Sequence, residues 1–324
     1  MRTGIVLRLL LIAVVVLAGC SNNTIQAEKP PLRIGWQVWP GWYPALLAEK
    51  LGYFEARGLK VQLIPYDVFS SANADYAAGK LDAVFQTVYD VIPVNDRLAR
   101  DRSVVTLITD NTVEADAIVA TPQIRTATDL RGKTVAVKFG SYAEVLVRAM
   151  LEKNGLSAND VQLVDLDAEK IGDQLGKTVD AAHTYEPYIS QVVEQGNHVI
   201  FTGAETPGLL LDVLTVREPV LKERPADIRA FIDAFFEAQG WWRNHQLEGA
   251  RLIAEATGQD PKDISTAGIK LYDRAENLRA FTDTAAADSL YNSLDNNLKF
   301  LLTSGILNNQ PKDLNQLIVS DFLK

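Results

Sequence analysis

Short apolar runs alternate with amphipathic stretches through the first two thirds of the chain, and the same order occurs twice. The stretches that lead into predicted strands are 32–36, 61–64 and 79–85 in the first copy and 134–137, 161–164 and 176–182 in the second. Predicted helices that end near Gly52 and Gly155 follow the first run of each copy. Strands that alternate with helices predict parallel sheets with helices on both faces.

The pattern becomes helical after about residue 215. A stripe of apolar residues at helical spacing, which includes Phe231 and Phe235, predicts a helix over 226–242. Further helices are predicted over 249–256, 264–272 and 284–302. We expect these helices to pack on the first half of the chain.

Two repeated halves predict an α/β protein with two lobes. The first lobe is expected to comprise residues 32–119 and 215–324, and the second residues 120–214, with hinges near Val119-Ala120 and Val213-Leu214. Loops that bind ligands lie at the carboxyl ends of such strands. Two facing sheets would therefore hold a ligand in the cleft between them.

The N-terminus carries the features of a targeting segment. The apolar run over 9–19 is shorter than the roughly 20 residues that span a bilayer, and it fits a secretory signal over residues 1–19. Leu17-Ala18-Gly19-Cys20 resembles the lipobox of bacterial lipoproteins, in which the cysteine is lipid-modified. We therefore expect lipid on Cys20 and a flexible tether over 20–31, although an ordinary signal peptide with an incidental cysteine is the alternative.

Composition removes several classes of protein. The 324 residues are 47% hydrophobic and 23% charged, which is typical of a globular chain, and the formal net charge of -9 argues against general nucleic-acid binding. One cysteine allows no internal disulfide, and with three histidines the usual structural zinc site is not expected. There is no Gly-x-Ser-x-Gly motif, and Gly132-Lys133 and Gly176-Lys177 lack the earlier glycine of a phosphate-binding loop.

Five phrases in the chain resemble one family together. They are Gln37–Trp42, Leu51–Phe54, Ala115–Val119, Thr128–Lys133 and Thr184–Tyr188. Taken in this order they resemble the substrate-binding proteins of bacterial ABC importers for nitrate, taurine and alkanesulfonates, over residues 32 to 320. The resemblance implies a hinged, two-lobed periplasmic-binding-protein (type II) fold that closes on a small molecule.

The same resemblance implies partners and location. The closed protein would dock as a monomer on a membrane permease that a separate ATPase drives, on the periplasmic or outer face of the cell envelope. No cofactor, metal or catalytic residue is expected. The enzyme alternative is the thiamine-pyrimidine synthase type, which carries a cysteine-rich signature, whereas here the one cysteine lies in the lipobox. A ligand sensor is a third class that the sequence does not separate from an importer component.

Loops after the first strand of each lobe supply candidate ligand contacts. Trp39 and Trp42 flank Pro40-Gly41, so we expect their indoles to wall the cleft. Gly140, Ser141 and Tyr142 stand between a strand and a helix, where free N–H groups attract an anionic group, although Ser141 also fits a simple helix cap. Ser70 is expected at a similar helix start in the first lobe.

Polar side chains also follow the third strand of each copy. Gln86, Thr87 and Asp90 occupy this place in the first lobe, and Tyr185 and Glu186 occupy it in the second, so the two groups should face each other. For Glu186 the alternative is a helix-cap carboxylate, because Pro187 can begin a helix. His183 fits a buried neutral imidazole better than a ligand contact.

Carboxylates lie near both chain crossings. They are Asp110, Glu114 and Asp116 at the first and Asp212 at the second, where solvated surface positions are the alternative. Counted together, Asp90, Glu114, Asp116, Glu186 and Asp212 outnumber Lys138 and Arg217. A buried carboxylate without a partner is costly. We therefore predict a solute with an amino group or several donors, such as a zwitterion, rather than bare nitrate. Thiamine pyrimidine precursors and inorganic anions remain alternatives.

Overall fold

The computed structural model describes residues 29–67, 69–98, 101–311 and 313–324, and residues 31–324 form one compact unit. The predicted signal segment, Cys20 and most of the tether lie outside the described residues, as do the side chains of residues 69 and 70. Among the residues described, no helix has the length and apolar character needed to cross a bilayer.

Strands and helices alternate in each half of the chain through residue 202, as the sequence predicts, except that β4, β5 and β6 follow one another without an α-helix between them. The strands are β1 Leu32–Trp36, β2 Val61–Pro65, β3 Ala83–Thr87, β4 Ser103–Thr112, β5 Asp116–Ala120, β6 Thr134–Val137, β7 Gln162–Asp165, β8 Ala181–Tyr185, β9 His198–Thr202, β10 Leu211–Arg217 and β11 Ile269–Leu271. The helices are α1 Tyr43–Lys50, α2 Phe69–Ala77, α3 Val88–Arg97, α4 Tyr142–Lys153, α5 Ile171–Gln174, α6 Tyr188–Glu194, α7 Glu218–Glu223, α8 Pro225–Asn244, α9 Gln246–Thr257, α10 Arg274–Thr282 and α11 Leu290–Thr303.

Two sheets confirm the predicted fold class. The first has the order β11-β4-β10-β3-β1-β2 and the second the order β7-β6-β8-β5-β9. β1 is parallel to β2 and β3, and β6 is parallel to β7 and β8, so each sheet has a parallel part. β10 runs antiparallel to β3 and β4, and β5 runs antiparallel to β8 and β9. The mixed pairing arises because the chain crosses between the sheets.

The crossings lie earlier than the predicted boundaries. The chain leaves the first sheet after Thr112, enters the second at Asp116, leaves it after Thr202 and returns at Leu211. The expected boundaries at 119/120 and 214/215 therefore fall inside β5 and β10. An apolar run in the sequence shows where a strand lies but not which sheet the strand joins. All five residues of β5 pair with β8, so β5 belongs to the second sheet.

The helical prediction after residue 215 holds for α8 and α9. The segment predicted as a helix over 264–272 instead contains β11, the strand that pairs with β4. The helix predicted over 284–302 begins only at Leu290, where Ser289 caps it, and α10 lies before it. Gly268, at φ 77°, makes the turn into β11, and this left-handed conformation stops a helix there.

The largest core joins the first sheet to the helices that follow residue 217. Phe85 of β3 packs at its centre against Phe231 and Phe235 of α8 and lies 5.6 Å from Trp42, ring to ring. The second sheet has smaller apolar clusters of its own. Val145 of α4, the helix that follows β6, is buried within the first core. Helix α4 therefore connects the two lobes.

Candidate ligand-binding site

Three buried aspartates meet where strands of the two sheets end. Asp110 of β4 lies opposite Asp212 of β10, and Asp116 is the first residue of β5, just beyond the first crossing. Asp110 is 0% exposed, Asp116 2% and Asp212 6%. The charge of Asp116 acts on both of the others, so the three form one electrostatic group.

Asp110 is held by neighbours from the first sheet. The hydroxyl of Thr109 donates to Oδ2 at 2.9 Å, and Nε1 of Trp39 donates to Oδ1 at 3.2 Å. A Cβ placed on Gly41 would lie 1.6 Å from Oδ2, so this carboxylate reaches the turn before α1 only because residue 41 has no side chain. Burial, opposed by the two hydrogen bonds, raises the pKa of Asp110 to about 6.

Asp212 shares a hydrogen bond with Asp110. One of the two carboxyl groups carries the proton in that bond, because an ionised carboxylate only accepts. Burial and then the charge of Asp110 raise the pKa of Asp212 well above its usual range. We therefore expect the pair to hold one proton at neutral pH in the conformation described.

Asp116 carries the group into the second sheet. Its Oδ1 lies 2.9 Å from Nε2 of His183 on β8 and accepts from the hydroxyl of Tyr142 at 3.3 Å. The Tyr142 and His183 rings meet edge to face at 5.8 Å. Burial raises the pKa of Tyr142 well above its usual value, so its hydroxyl remains protonated and donates to Asp116.

Asp90 extends the group along the first sheet. Thr87, which lies opposite Asp212 in the pairing of β3 with β10, caps α3 and donates from Oγ1 to Asp90 at 2.7 Å. Asn73 of α2 also makes a side-chain hydrogen bond to Asp90, and burial raises the pKa of Asp90 to about 6. We refer to Asp116, Asp110, Asp212 and Asp90 as the aspartate row.

The aspartate row forms no ion pair with lysine or arginine in the part of the chain that the structure describes. His183 is its one ionisable basic contact at ion-pair distance among those residues. Two basic residues near it in sequence are engaged elsewhere: Lys138 Nζ lies 3.2 Å from Asp167, and Arg217 lies 2.7 Å from Asp101. No group of three or more metal-ligating side chains is placed to hold a metal ion within the described ranges.

The start of α4 makes a contact between the lobes. The hydroxyl of Tyr89 on α3 donates to the carbonyl of Gly140 at 2.9 Å. The N–H of Gly140 donates to Glu144 at 2.9 Å, and Oγ of Ser141 accepts from the N–H of Ala143. Ser141 thus caps α4, and the N–H groups of Gly140 and Ala143 have protein acceptors in this conformation. An anion-binding role for this helix start stays a prediction.

The structure brings together only part of the predicted ligand set. Trp39, Thr87, Asp90, Tyr142 and Asp212 lie at the aspartate row or hydrogen-bond to it, and Gly140 and Ser141 lie beside Tyr142 at the lobe contact. Gln86 is fully buried one residue before Thr87, and its Nε2 donates to Thr215 at 2.8 Å.

Three predicted contacts lie elsewhere, and a fourth, Tyr185, lies opposite Asp116 in the pairing of β5 with β8 but has its hydroxyl engaged by another carboxylate. Trp42 is 3% exposed in the first core, so its predicted place on the cleft wall is not observed. Glu114 is exposed in the first crossing, and Tyr185 donates to Glu169 at 2.6 Å. Glu186 is exposed and accepts from Ser190 in α6, which is the helix-cap alternative. The side chain of Ser70 lies outside the described residues.

Sequence reasoning missed Asn73, Tyr89 and Gly41, and it left Asp110 and Asp116 open between cleft and surface. A signal for Asp110 existed, because it lies near the carboxyl end of β4, a strand that is buried throughout, much as Thr87 ends β3. No sequence signal marks Gly41, whose role depends on a carboxylate 69 positions later.

The chain is similar to a described protein family and to several known proteins. A protein-family model described as NMT1/THI5 like matches residues 39–248, a segment that includes the whole aspartate row. A protein of Bacillus subtilis (strain 168), provisionally named an aliphatic sulfonates-binding protein, is 28% identical over 280 residues. The alignment covers 82% of this chain and 81% of that relative.

Solved structures share the fold. The periplasmic aliphatic sulphonate binding protein of Escherichia coli superposes with a TM-score of 0.69 at 20% identity, covering 87% of this chain and 90% of that one. The desulfurization enzyme DszB superposes with a TM-score of 0.64 at 18% identity, over 91% and 98%. The same fold thus serves a binding protein and an enzyme, and fold alone does not separate the two.

Proposed function

The chain belongs to the NMT1/THI5-like family, and on this premise we propose that it is the extracytoplasmic solute-binding component of an ABC importer. It captures a small polar organic solute between the two sheets and delivers it to a membrane permease driven by an ATPase. The family match, the relative named for sulfonate binding and the shared periplasmic-binding fold support this role.

The proposed mechanism is capture by closure. In the conformation described, Asp110, Asp116 and Asp212 are almost fully buried, Asp90 is partly buried, and Tyr89 of the first lobe donates to Gly140 of the second. A solute reaches the row only when the lobes separate, and contacts from both lobes then favour the closed population. Tyr142 serves this step because its hydroxyl bonds Asp116 while its ring packs against both cores.

The aspartate row is the observation that supports the solute class. Buried carboxylates without a cation are costly, and a solute that brings a protonated amino group offsets the cost. Sulfonate and nitrate groups bear the same charge as the row and gain nothing from it. We therefore propose an amine-bearing solute, of which taurine-like zwitterions are one kind.

A thiamine pyrimidine precursor is the second candidate. An aminopyrimidine presents amino and protonated ring N–H donors, which carboxylates accept in pairs. The same row favours it, and the description of the matching family model is compatible with it.

We propose binding rather than catalysis because the sulfonate-binding relative aligns along most of the chain. Lipid attachment at Cys20 and a place on the outer side of a bacterial membrane belong to the same proposal. They rest on the lipobox pattern of residues 17–20.

Thermal unfolding of the full chain in mild detergent, against a set of solutes, tests the function. The set comprises taurine, alkanesulfonates, nitrate, bicarbonate, amino acids and pyrimidine thiamine precursors. A solute at about 100 times its dissociation constant stabilises by roughly 2.7 kcal/mol, which raises Tm by a few degrees for a chain of this size. A shift with an amine-bearing solute supports the proposal. No shift with any solute at millimolar concentration contradicts it.

A further inference from the structure

The carboxylates of the aspartate row lie on neighbouring strands, so their charges are separated in space. Asp110 lies opposite Asp212, and Asp212 lies opposite Thr87, whose side chain bonds Asp90. Paired strands are about 5 Å apart, so the Asp110–Asp212 pair and the Asp90 carboxylate are separated by roughly 5 to 10 Å. The row therefore presents two acidic centres rather than one.

Each centre carries an unbalanced charge. The first centre holds one proton between two carboxyl groups, so one negative charge remains on the pair. Asp116, at the second-sheet end of the row, already has His183 at 2.9 Å. Asp90 forms no ion pair among the described residues, and the exposed Arg97 acts on it only through its charge.

A buried amide provides a second, independent sign of a ligand. Asn73 is 4% exposed and hydrogen-bonds Asp90, yet its Oδ1 has no partner among the described residues. Because both atoms belong to one amide group, this acceptor lies beside the Asp90 carboxylate. Buried oxygen acceptors normally accept a hydrogen bond from an N–H or O–H group. The Asn73 oxygen therefore lacks a donor that a ligand could supply.

We propose that the solute is a dibasic nitrogen compound without an acidic group, held by the Asp110–Asp212 pair at one nitrogen and by Asp90 with Asn73 at the other. This inference rests on the proposed solute-binding function and narrows its solute class. An acidic group at either end would meet a carboxylate, and a monoamine would leave one centre unbalanced. The class comprises aliphatic diamines and aminopyrimidines that carry an aminomethyl group.

Calorimetric titration of the full chain with a matched four-carbon set tests the class. The set is 1,4-diaminobutane, butylamine, 4-aminobutanoate and butanesulfonate, and 4-amino-5-aminomethyl-2-methylpyrimidine is titrated beside them. We expect a dibasic compound to bind at least tenfold more tightly than butylamine, and the two anionic probes to bind more weakly still. Preference for the diamine or for the pyrimidine identifies the source within the class.

Two variants locate the second nitrogen. Asp90→Asn should weaken the preferred dibasic compound at least tenfold and leave butylamine within about twofold, because only the dibasic compound reaches Asp90. Asp96→Asn, the same change at an exposed position of α3, should alter neither. Asn73→Ala should act in the same direction as Asp90→Asn. Unfolding curves confirm that each variant folds.

Three results would overturn the inference. They are butylamine binding as tightly as every dibasic probe, an anionic probe binding more tightly than all of them, and Asp90→Asn weakening butylamine and the dibasic compound equally. In each of these cases a solute still binds, so the broader solute-binding function stands. Binding of no probe here, together with no shift in the wider set of solutes, contradicts both.

Discussion

Asp116 and Asp212 occupy corresponding places at the inner ends of the two sheets, yet their surroundings differ. Asp116 has His183 and Tyr142 within hydrogen-bonding distance. Asp212 has the carboxyl group of Asp110 as its partner, with the Asp90 charge also acting on it. The second lobe thus supplies partners for its carboxylate, whereas the carboxylates of the first lobe have no cation at ion-pair distance among the described residues. Capture is therefore expected to begin on the first lobe.

The largest effect should come from removing charge at the first lobe. Asp110→Asn keeps the shape and hydrogen-bonding size of the side chain but lowers the negative charge that meets the solute. Breaking a buried charge pair costs about 3 kcal/mol or more, so affinity for the amine-bearing solute should fall at least 100-fold. Calorimetric titration measures the loss. An unchanged affinity would show that the first lobe does not hold the amine.

Gly41→Ala tests the Asp110 carboxylate through the turn that it contacts. The added Cβ would lie 1.6 Å from Oδ2 of Asp110, so the carboxylate or the turn must move. We expect roughly 1–3 kcal/mol of lost stability and a weaker solute affinity. Gly240→Ala is the control, because position 240 of α8 has open space and alanine favours helices. A Gly41 variant as stable as its control would contradict the close approach.

The stability of the solute-free protein should increase as pH falls from about 7.5 to about 5. Burial raises the pKa of Asp110 and of Asp90 to about 6, so the folded state binds protons that the unfolded chain releases near pH 4. This contribution is complete below the unfolded pKa and is lost as pH rises through about 6. The gain is on the order of 1–3 kcal/mol.

Chemical unfolding at a series of pH values checks this dependence. Asp212→Asn should make the curve flatter, because it removes the charge that couples to Asp110 and Asp116. Amine affinity should change in the opposite direction and weaken on acidification, since the solute competes with protons. An affinity that increases on acidification would point to an anionic solute instead.

The contact between the lobes should have a smaller effect. Tyr89→Phe removes the hydroxyl that donates to Gly140, a hydrogen bond worth about 0.5–1.5 kcal/mol. Solute affinity should fall a few-fold, mainly through faster release, because the closed form loses one of its contacts. Stopped-flow release measures this rate. Tyr291→Phe in α11, which lies outside the candidate site, is the control.

Glu186→Gln should have the smallest effect. Glu186 caps α6 through Ser190 and is exposed, so the change should alter solute affinity by less than twofold. A large loss of affinity would return Glu186 to the ligand set and remove the contrast between the lobes.

Repetition along the chain was enough to predict the two sheets, because alternating strands and helices leave few arrangements. It also predicted that Thr87, Asp90 and Asp212 lie near one another, because Thr87 and Asp90 follow the third strand and Asp212 lies at the second chain crossing. Burial was harder to predict: Glu186 and Asp212 both lie at strand ends in the sequence, yet one is exposed and the other is enclosed by β3 and β4. The aspartate row depends on long-range contacts such as Trp39 to Asp110, which local patterns do not carry.

The carbonyl of Gly268 fixes the first chain crossing to the turn before β11. It accepts from three successive N–H groups, those of Val113, Glu114 and Ala115, at 2.9, 2.7 and 3.0 Å. A Cβ on residue 268 would lie 2.6 Å from the backbone nitrogen of Ala115, so only glycine fits beside this strap. Three hydrogen bonds thereby hold the first crossing to the turn before β11. We expect this crossing to move little when the two lobes separate. The longer return path over 203–210 is bonded to this crossing at both ends, because the N–H of Ala204 donates to the carbonyl of Val113 at 2.6 Å and the N–H of Thr112 donates to the carbonyl of Leu210 at 3.0 Å.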